Sequence, residues 1–493
     1  MAISLILYLF ALLPRLYRYT DTLVYPDEVT WMVKGKELIY ALFTRNWYYL
    51  SHAWWTNTHD AYAIGLPLIF LNGLFQTIFA GASKYSLHIL TDIAASRIPG
   101  LLIGPLLLPL IYLFCTRFIN RLTGIIAAVA YALSPIAIAL DQWIIHDSFL
   151  TLFSFLAISS FLNSIKNEKI SIIPGFWLSL AFLTKPLGLF PFITWTLIAL
   201  FNYTNKLHLK LWLINIVSFF VFTSLIWPQS WFTPLTAIPQ YLIKQIQLSN
   251  TGDPIHNFYL GQATDSPNWT YYLFQIFART PEMILIFLLL SVALYFRRIK
   301  SKPLNIYLLS ILAYIVSFLL FISITPLKGG VRYALPVIPW LYIAAAWGIY
   351  SFILRLNNLN KIIVLAILAE LIMYPLAYKP NYYLYYNNFV GGPQHARKYD
   401  LIGLCFGNKK ALEYLDKTHI PGTVGIIGCA DSGPYHTSRP LTKILDKADL
   451  IILETSFIQA STNDHYDLLK FLDNRHPAKD IYENGIKTAI IYR

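Results

Sequence analysis

A few acids and isolated cations stand out in a sequence that otherwise carries little charge. The segment YPDEVTW sets Asp27 and Glu28 side by side shortly after a long apolar run. Adjacent carboxylates beside lipid are costly, so their presence asks for a role. One role is that of a general base, removing the proton of an acceptor hydroxyl. The other is structural, because Pro26, Asp27 and Glu28 read equally well as the first turn of an interfacial helix whose dipole they complement. Asp147, in DQWIIHDSFL, follows Asp141 in a short turn, at the point where another apolar run begins. It reads as a second functional acid or as the cap of that helix, and the local pattern favours the cap.

The cations form a second group. Arg15 and Arg18 follow the first apolar run, Arg97 sits in ASRIPG, and Lys328 and Arg332 lie in PLKGGVRYALP. The topology below puts all of them on the side of a membrane where bases are scarce, and an anionic ligand is the simplest reason for that. Arginine forks onto phosphate in bidentate fashion, and Gly329–Gly330 would let backbone approach a bulky headgroup. Lys328 and Arg332 are the leading candidates for an anion site. Snorkelling to lipid headgroups is the alternative, and it is an adequate account of Lys185 in FLTKPLG. In SHAWWTNTHD, His52, His59 and Asp60 offer metal-type ligands at a spacing that matches no recognised motif, and Trp54–Trp55 suit interface anchoring. Cys115, Cys405 and Cys429 also lack metal-site spacing and allow at most one disulfide, Cys405–Cys429.

The elements that must position these residues are membrane spans. Of 493 residues, 56% are hydrophobic and 13% charged, with a mean hydropathy of +0.53. Soluble chains carry about 25% charged residues, so much of this surface faces lipid. The 34 Tyr and 13 Trp suit interfacial belts. The net charge of +13 lies in short clusters between apolar runs, which points to membrane orientation and not to nucleic acid. Spans are expected near 2–18, 93–114, 122–140, 147–163, 170–185, 187–204, 209–227, 273–295, 304–324, 333–354 and 361–377. Placing the basic connectors (Arg117/Arg121, Lys166/Lys169, Lys206/Lys210, Arg297–Lys302, Arg355/Lys361) inside alternates without fault from residue 93 onward. With Met1 inside and 19–61 outside, the interrupted run at 62–80 must be re-entrant or interfacial. Residues 19–61, 228–272 and everything after 377 then share the outer side. The last stretch, 378–493, interleaves TVGIIG, LIILET and TAIIYR with the helix-like KKALEYLDK and YDLLKFLDN, and reads as a small α/β domain.

The motifs, taken in order, resemble the polyprenyl-phosphate-dependent glycosyltransferases of the GT-C fold, and within them the protein O-mannosyltransferase and lipid A aminoarabinose transferase group. The resemblance is carried by LPRLYRY followed by YPDE, by ASRIPG, RFINRLTG, LSPIAI…HDSFLTLFSFLA and FLTKPLGL. It continues through HNFYLGQ…WTYYLFQIFARTP, KGGVRYALPVIPW and YYLYYNNFVGGPQHA. It implies an all-α membrane domain over 1–377, with about 11–13 transmembrane helices, and an extracytoplasmic α/β domain over 378–493. It also implies transfer of a hexosyl or pentosyl unit from a polyprenyl-phosphate donor to a hydroxyl of a protein, lipid or glycan, with inversion, at the outer face of a bacterial or archaeal plasma membrane. Residue by residue, it makes Asp27 the base or acceptor-ordering acid, Glu28 its neighbour and Asp147 a second functional acid. Arg97 and Arg332 match bases associated with the carrier phosphate, with Lys328 and Arg15 as further candidates. Tyr271–Tyr272 match an aromatic pair of the large outer loop. Where many relatives carry a His- or Lys-containing motif, this chain has AIGLPL, and His59 is a substitute candidate. A divalent ion near Asp27 and Asp147 stays open.

A transporter or flippase of lipid-linked sugars is the competing class. It predicts charges inside spans and inverted repeats, whereas the acids here gather in outer loops and no repeat is evident.

Overall fold

The computed structural model describes residues 2–50, 65–81, 87–201, 206–250, 257–299, 306–354, 376–401, 405–460 and 475–493, with isolated positions between 362 and 373 and Leu472. The first half is helical: α1 (Ala2–Leu16), α2 (Pro26–Phe43), α3 (Leu66–Phe79), α4 (Asp92–Phe118), α5 (Arg121–Ala132), α6 (Pro135–Asp141), α7 (Asp147–Lys166), α8 (Ile173–Thr184), α9 (Pro191–Phe201) and α10 (Lys206–Ile226). After them come α11 (Ala237–Asn250), a hairpin of β1 (Asn257–Tyr259) and β2 (Gln262–Thr264), α12 (Tyr271–Arg279), α13 (Glu282–Ile299), α14 (Ile306–Ile324) and α15 (Ile338–Ile353).

Four described helices are long and apolar enough to cross a membrane: α4, α7, α10 and the helix over Val331–Ile353. Two expected spans are instead broken. The run at 122–140 divides into α5 and α6, bent by 61°, where Pro135 cannot continue the hydrogen-bond ladder. The run at 273–295 divides into α12 and α13, bent by 117° at Thr280–Pro281. The runs at 2–18, 62–80, 170–185 and 187–204 form apolar helices shorter than the roughly 17 residues a crossing needs. The run at 361–377 lies largely outside the described residues.

Each break is repaired by a side chain from elsewhere. At α5–α6, Arg15 donates to the Ala132 carbonyl (3.1 Å) and to Asp141 Oδ2 (2.6 Å), tying the end of α1 to both halves. Asp141 can sit there because Gly104 of α4 has no Cβ, which would come 2.1 Å from the carboxylate carbon. At α12–α13, Asn387 donates its side-chain amide to the Phe277 and Thr280 carbonyls and its backbone N–H to Ala278, while Glu282 accepts from the Asn388 N–H. Segment YYLYYNNF thus satisfies carbonyls that the sharp turn leaves open, as irregular backbone at membrane depth requires.

The C-terminal part carries α16 (Phe406–Lys417), β3 (Val424–Ile427), β4 (Leu441–Thr442), β5 (Leu450–Glu454), β6 (Pro477–Glu483) and β7 (Ile486–Tyr492). The sheet order is β4-β3-β5-β7-β6, parallel among β4, β3 and β5 and antiparallel beyond. Along β5, Leu450 and Ile452 face α16, while Ile451 and Leu453 join a second apolar cluster on the other face, the period-two burial of a covered strand. Asn484–Gly485, both with positive φ, close the β6–β7 hairpin. Strands fall on TVGIIG, LIILET and TAIIYR and a helix on KKALEYLDK, as expected; YDLLKFLDN lies outside the described residues. Cys405 and Cys429 form a disulfide, Cα–Cα 5.5 Å.

Candidate functional site

The start of α2 is held by a buried ion pair. Glu28, third residue of the helix, accepts the Tyr25 N–H (2.7 Å) on Oε2, closing the first turn. The same oxygen accepts from Arg97 (2.8 Å), and Oε1 accepts from Arg97 Nε (2.9 Å) and from the Ile144 N–H (2.8 Å). Glu28 therefore joins α2 to the turn between α6 and α7. Arg97 is fully buried and spends its remaining donors on the Tyr19 and Leu23 carbonyls and the Thr22 hydroxyl, each at 2.6 Å. All five guanidinium N–H groups are engaged.

That corrects two expectations. Arg97 has no donor left for a phosphate, and Glu28, with both oxygens doubly occupied and 1% exposed, is not placed to take a proton from an acceptor. Two further cations are anchored elsewhere, although one terminal nitrogen of Arg15 has no partner among the described residues. Arg15 is buried at the α5–α6 break against Asp141. Lys328 donates to the carbonyls of Ile322, Ser323 and Thr325 at 2.6–2.9 Å and caps α14. Tyr271 and Tyr272 are buried as well: Tyr272 accepts the Gly329 N–H (3.2 Å) and braces the 325–333 turn, while Tyr271 donates to Asn257 Oδ1 (3.4 Å) at the start of β1. His59, His52 and Asp60 lie outside the described residues.

What remains forms one cluster. Asp27, whose side chain is 38% exposed, meets Arg332 at 2.7 Å across 305 residues of chain. Arg332 is steadied by the Gly329 carbonyl (3.1 Å) and lies over the rings of Tyr25 and Tyr333. The turn that presents it requires Gly330, at φ 70 and ψ −173. Asp147 opens α7, fully buried, with Oδ1 3.2 Å from the Lys185 ammonium. Lys185 also sits 3.3 Å above the ring of Tyr333. It ends α8 in extended backbone and points inward, not toward headgroups as snorkelling would have it. Its signal in the sequence was the Lys–Pro step that stops α8 beneath the site.

His146 lies between these pairs. It is 6% exposed and packs edge-on against Trp31 of α2. Burial, opposed by the neighbouring Asp147, pushes the imidazole down to about 3, so it is neutral. Above the cluster, the C-terminal domain meets the loop before α2: the Val24 N–H donates to His436 Nε2 and Lys409 donates to the Asp21 carbonyl.

A divalent ion does not fit the residues as placed. Asp27 faces Arg332 and Asp147 faces Lys185, and among the described residues no three His, Cys, Asp or Glu side chains converge. What the arrangement offers is a half-exposed carboxylate beside an arginine, with a second cation below.

Residues 84–227 match the family model described as dolichyl-phosphate-mannose-protein mannosyltransferase. Among solved structures, ArnT from Cupriavidus metallidurans bound to undecaprenyl phosphate superposes with a TM-score of 0.52 at 13% identity, covering 100% of this chain and 96% of that one. Its apo state gives 0.51 over the same shares. The apo oligosaccharyltransferase of Archaeoglobus fulgidus gives 0.53 at 12% identity, over 89% of this chain and 64% of its own. No curated protein matches by sequence. At these identities the likeness is one of fold. The chain has the fold of the GT-C membrane glycosyltransferases, as the order of its motifs implied, with a small sheet domain at its C-terminal end.

Proposed function

We propose that the chain transfers a sugar from a polyprenyl-phosphate carrier to an acceptor hydroxyl at the extracytoplasmic face, with Asp27 as general base. The observation that carries this reading is the Asp27–Arg332 pair, a carboxylate and a guanidinium brought together from distant loops at an exposed edge of an otherwise buried cluster. Such a pair serves both ends of a displacement. The acceptor oxygen attacks the anomeric carbon and its proton passes to Asp27, while the bond from that carbon to the phosphate oxygen breaks. The leaving polyprenyl phosphate gains negative charge, and Arg332 faces it as a bidentate donor already oriented by Gly329 and Tyr25. Lys185 and Asp147 hold the wall beneath Arg332 through Tyr333. Glu28 and Arg97 fix the spacing of α2 from the turn before Asp147, which is a positioning role.

A single displacement inverts the anomeric centre. The relatives in fold support the carrier: one solved structure is of ArnT bound to undecaprenyl phosphate, and the matching family model names dolichyl-phosphate-mannose. The Cys405–Cys429 disulfide favours an oxidising compartment for the C-terminal domain, in line with an outer-face site in a plasma membrane. The acceptor is a protein, a lipid or a glycan. Purified protein in vesicles, supplied with radiolabelled polyprenyl-phosphate sugars and an envelope extract as acceptor, is expected to transfer label, with the product anomer inverted by NMR. Retention would remove the single displacement, and no transfer with any of several donors would favour a transporter of lipid-linked sugars.

A further inference from the structure

Several buried polar groups beside Asp27 have no hydrogen-bond partner among the described residues, and the displacement outlined above uses none of them. They are Nε1 of Trp31, both ring nitrogens of His146 and Oδ2 of Asp147. Trp31 is 5% exposed, His146 6% and Asp147 0%. The three residues form one cluster. Trp31 stands one turn after Asp27 on α2, and its ring meets that of His146 edge to face, with centroids 5.3 Å apart. His146 directly precedes Asp147, whose other oxygen faces Lys185. The backbone of Gly65 approaches from the opposite side, where an added Cβ would lie 3.7 Å from the His146 Cβ.

Buried donors and acceptors left unmade are costly, so such groups gathered beside a catalytic carboxylate point to a polar ligand. Their chemistry describes it. Neutral imidazole offers one N–H and one lone pair, the indole a donor and the carboxylate oxygen an acceptor. Two donors and two acceptors match a pair of neighbouring hydroxyls, each of which gives one hydrogen bond and takes another. Charge narrows the class. Asp147 with Lys185 and Asp27 with Arg332 already balance, so an ammonium on the ligand would bring an uncompensated charge into a buried, net-neutral cluster.

We propose that Trp31, His146 and Asp147 Oδ2 form the donor-sugar subsite, and that it takes a neutral hydroxylated sugar in preference to a cationic amino sugar. The inference rests on the reading of the chain as a polyprenyl-phosphate-dependent transferase. It is tested with the full chain in nanodiscs, using polyprenyl-phosphate mannose, glucose and galactose, a polyprenyl-phosphate 4-amino sugar, and sugar-free polyprenyl phosphate as a binding probe. Two variants are compared with wild type: Trp31→Phe, which keeps an aromatic ring and removes the N–H, and His146→Phe. Wild type should use at least one neutral donor about 10-fold better in kcat/KM than the amino-sugar donor, which must bring an uncompensated charge into the cluster. Trp31→Phe should raise KM for that neutral donor about 3- to 10-fold, the worth of one hydrogen bond, and His146→Phe, which removes two, by at least as much, with Kd for sugar-free carrier unchanged in both. Should His146→Phe fail to fold, Trp31→Phe carries the test alone. An unchanged KM, or equal weakening toward sugar-bearing and sugar-free carrier, would overturn the subsite while leaving the transferase reading in place. Preference for the amino-sugar donor would overturn the sugar class. Transfer from none of the donors would overturn the transferase reading and the subsite with it.

Discussion

Glu28→Gln is an informative perturbation because it separates holding the site from doing its chemistry. The two Glu28 oxygens take four donors: Arg97 Nε and the Ile144 N–H on one, an Arg97 terminal nitrogen and the Tyr25 N–H on the other. A glutamine in either orientation loses two of these bonds and turns an NH2 toward two donors. It also leaves the fully buried Arg97 guanidinium without its counter-charge. Breaking one partner of a buried pair costs about 3–5 kcal/mol, a large share of the roughly 5–15 kcal/mol that holds a domain together. Thermal unfolding in detergent should therefore show a clear fall in midpoint, with transfer activity falling in parallel as the turn before Asp147 loosens. The double variant Glu28→Met, Arg97→Met removes both charges and should recover part of the lost stability, a coupling that a double-mutant cycle reads directly. A Glu28→Gln protein as stable as wild type yet inactive would refute the reasoning and return Glu28 to the list of bases.

Two other perturbations bear on the assignments. Lys328→Met removes three donors to the last carbonyls of α14 and should lower the unfolding midpoint with Kd for sugar-free polyprenyl phosphate unchanged, whereas Arg332→Met should weaken that Kd about 10-fold or more; carrier binding lost in Lys328→Met alone would reverse the two roles. Burial pushes Glu454 up to about 8, outweighing the Asn408 N–H and Ser456 hydroxyl that favour its charged form. The folded domain then keeps a proton that the unfolded chain has released above its ordinary value near 4.5, so stability is highest below that pH and declines toward pH 8, by roughly 1.4 kcal/mol per unit. Glu454→Gln should flatten that slope in a pH series of melting curves, and an unaltered slope would show that another group sets it.

Much of the site was legible because charge near lipid is conspicuous. Asp27, Asp147 and Arg332 stood out for that reason, and all three fall in the cluster. What could not be read was which charges are already spent. Arg15, Arg97 and Lys328 are of the residue types that bind phosphate, and the charge pattern of the sequence groups them with Arg332. The donors of Arg97 and Lys328, and all but one terminal nitrogen of Arg15, go to carbonyls, hydroxyls and carboxylates that only the folded chain brings near, some of them more than a hundred residues away. Lys185 erred in the other direction, since a lysine at a helix end fits snorkelling until Asp147 and Tyr333 are seen beside it. In the fold, apolar runs marked where helices lie but not where they break. The Pro281 turn sits among Arg279, Thr280 and Glu282 between two apolar runs, and it becomes intelligible once Asn387 is seen supplying the missing donors. The sheet was readable at β3, β5 and β7, whose apolar residues announce burial, and unreadable at the more polar edge strand β6.

The central claim is that Asp27 takes the acceptor's proton beside Arg332. The most direct measurement compares transfer from a radiolabelled polyprenyl-phosphate sugar by wild type and by Asp27→Asn in the same vesicles, with unfolding midpoints recorded on both. Asp27 is half-exposed, so the asparagine should leave the midpoint nearly unchanged while the rate falls by about 100-fold or more, the scale of a lost general base. A folded Asp27→Asn protein that transfers at the wild-type rate would contradict the account and move the base to another carboxylate.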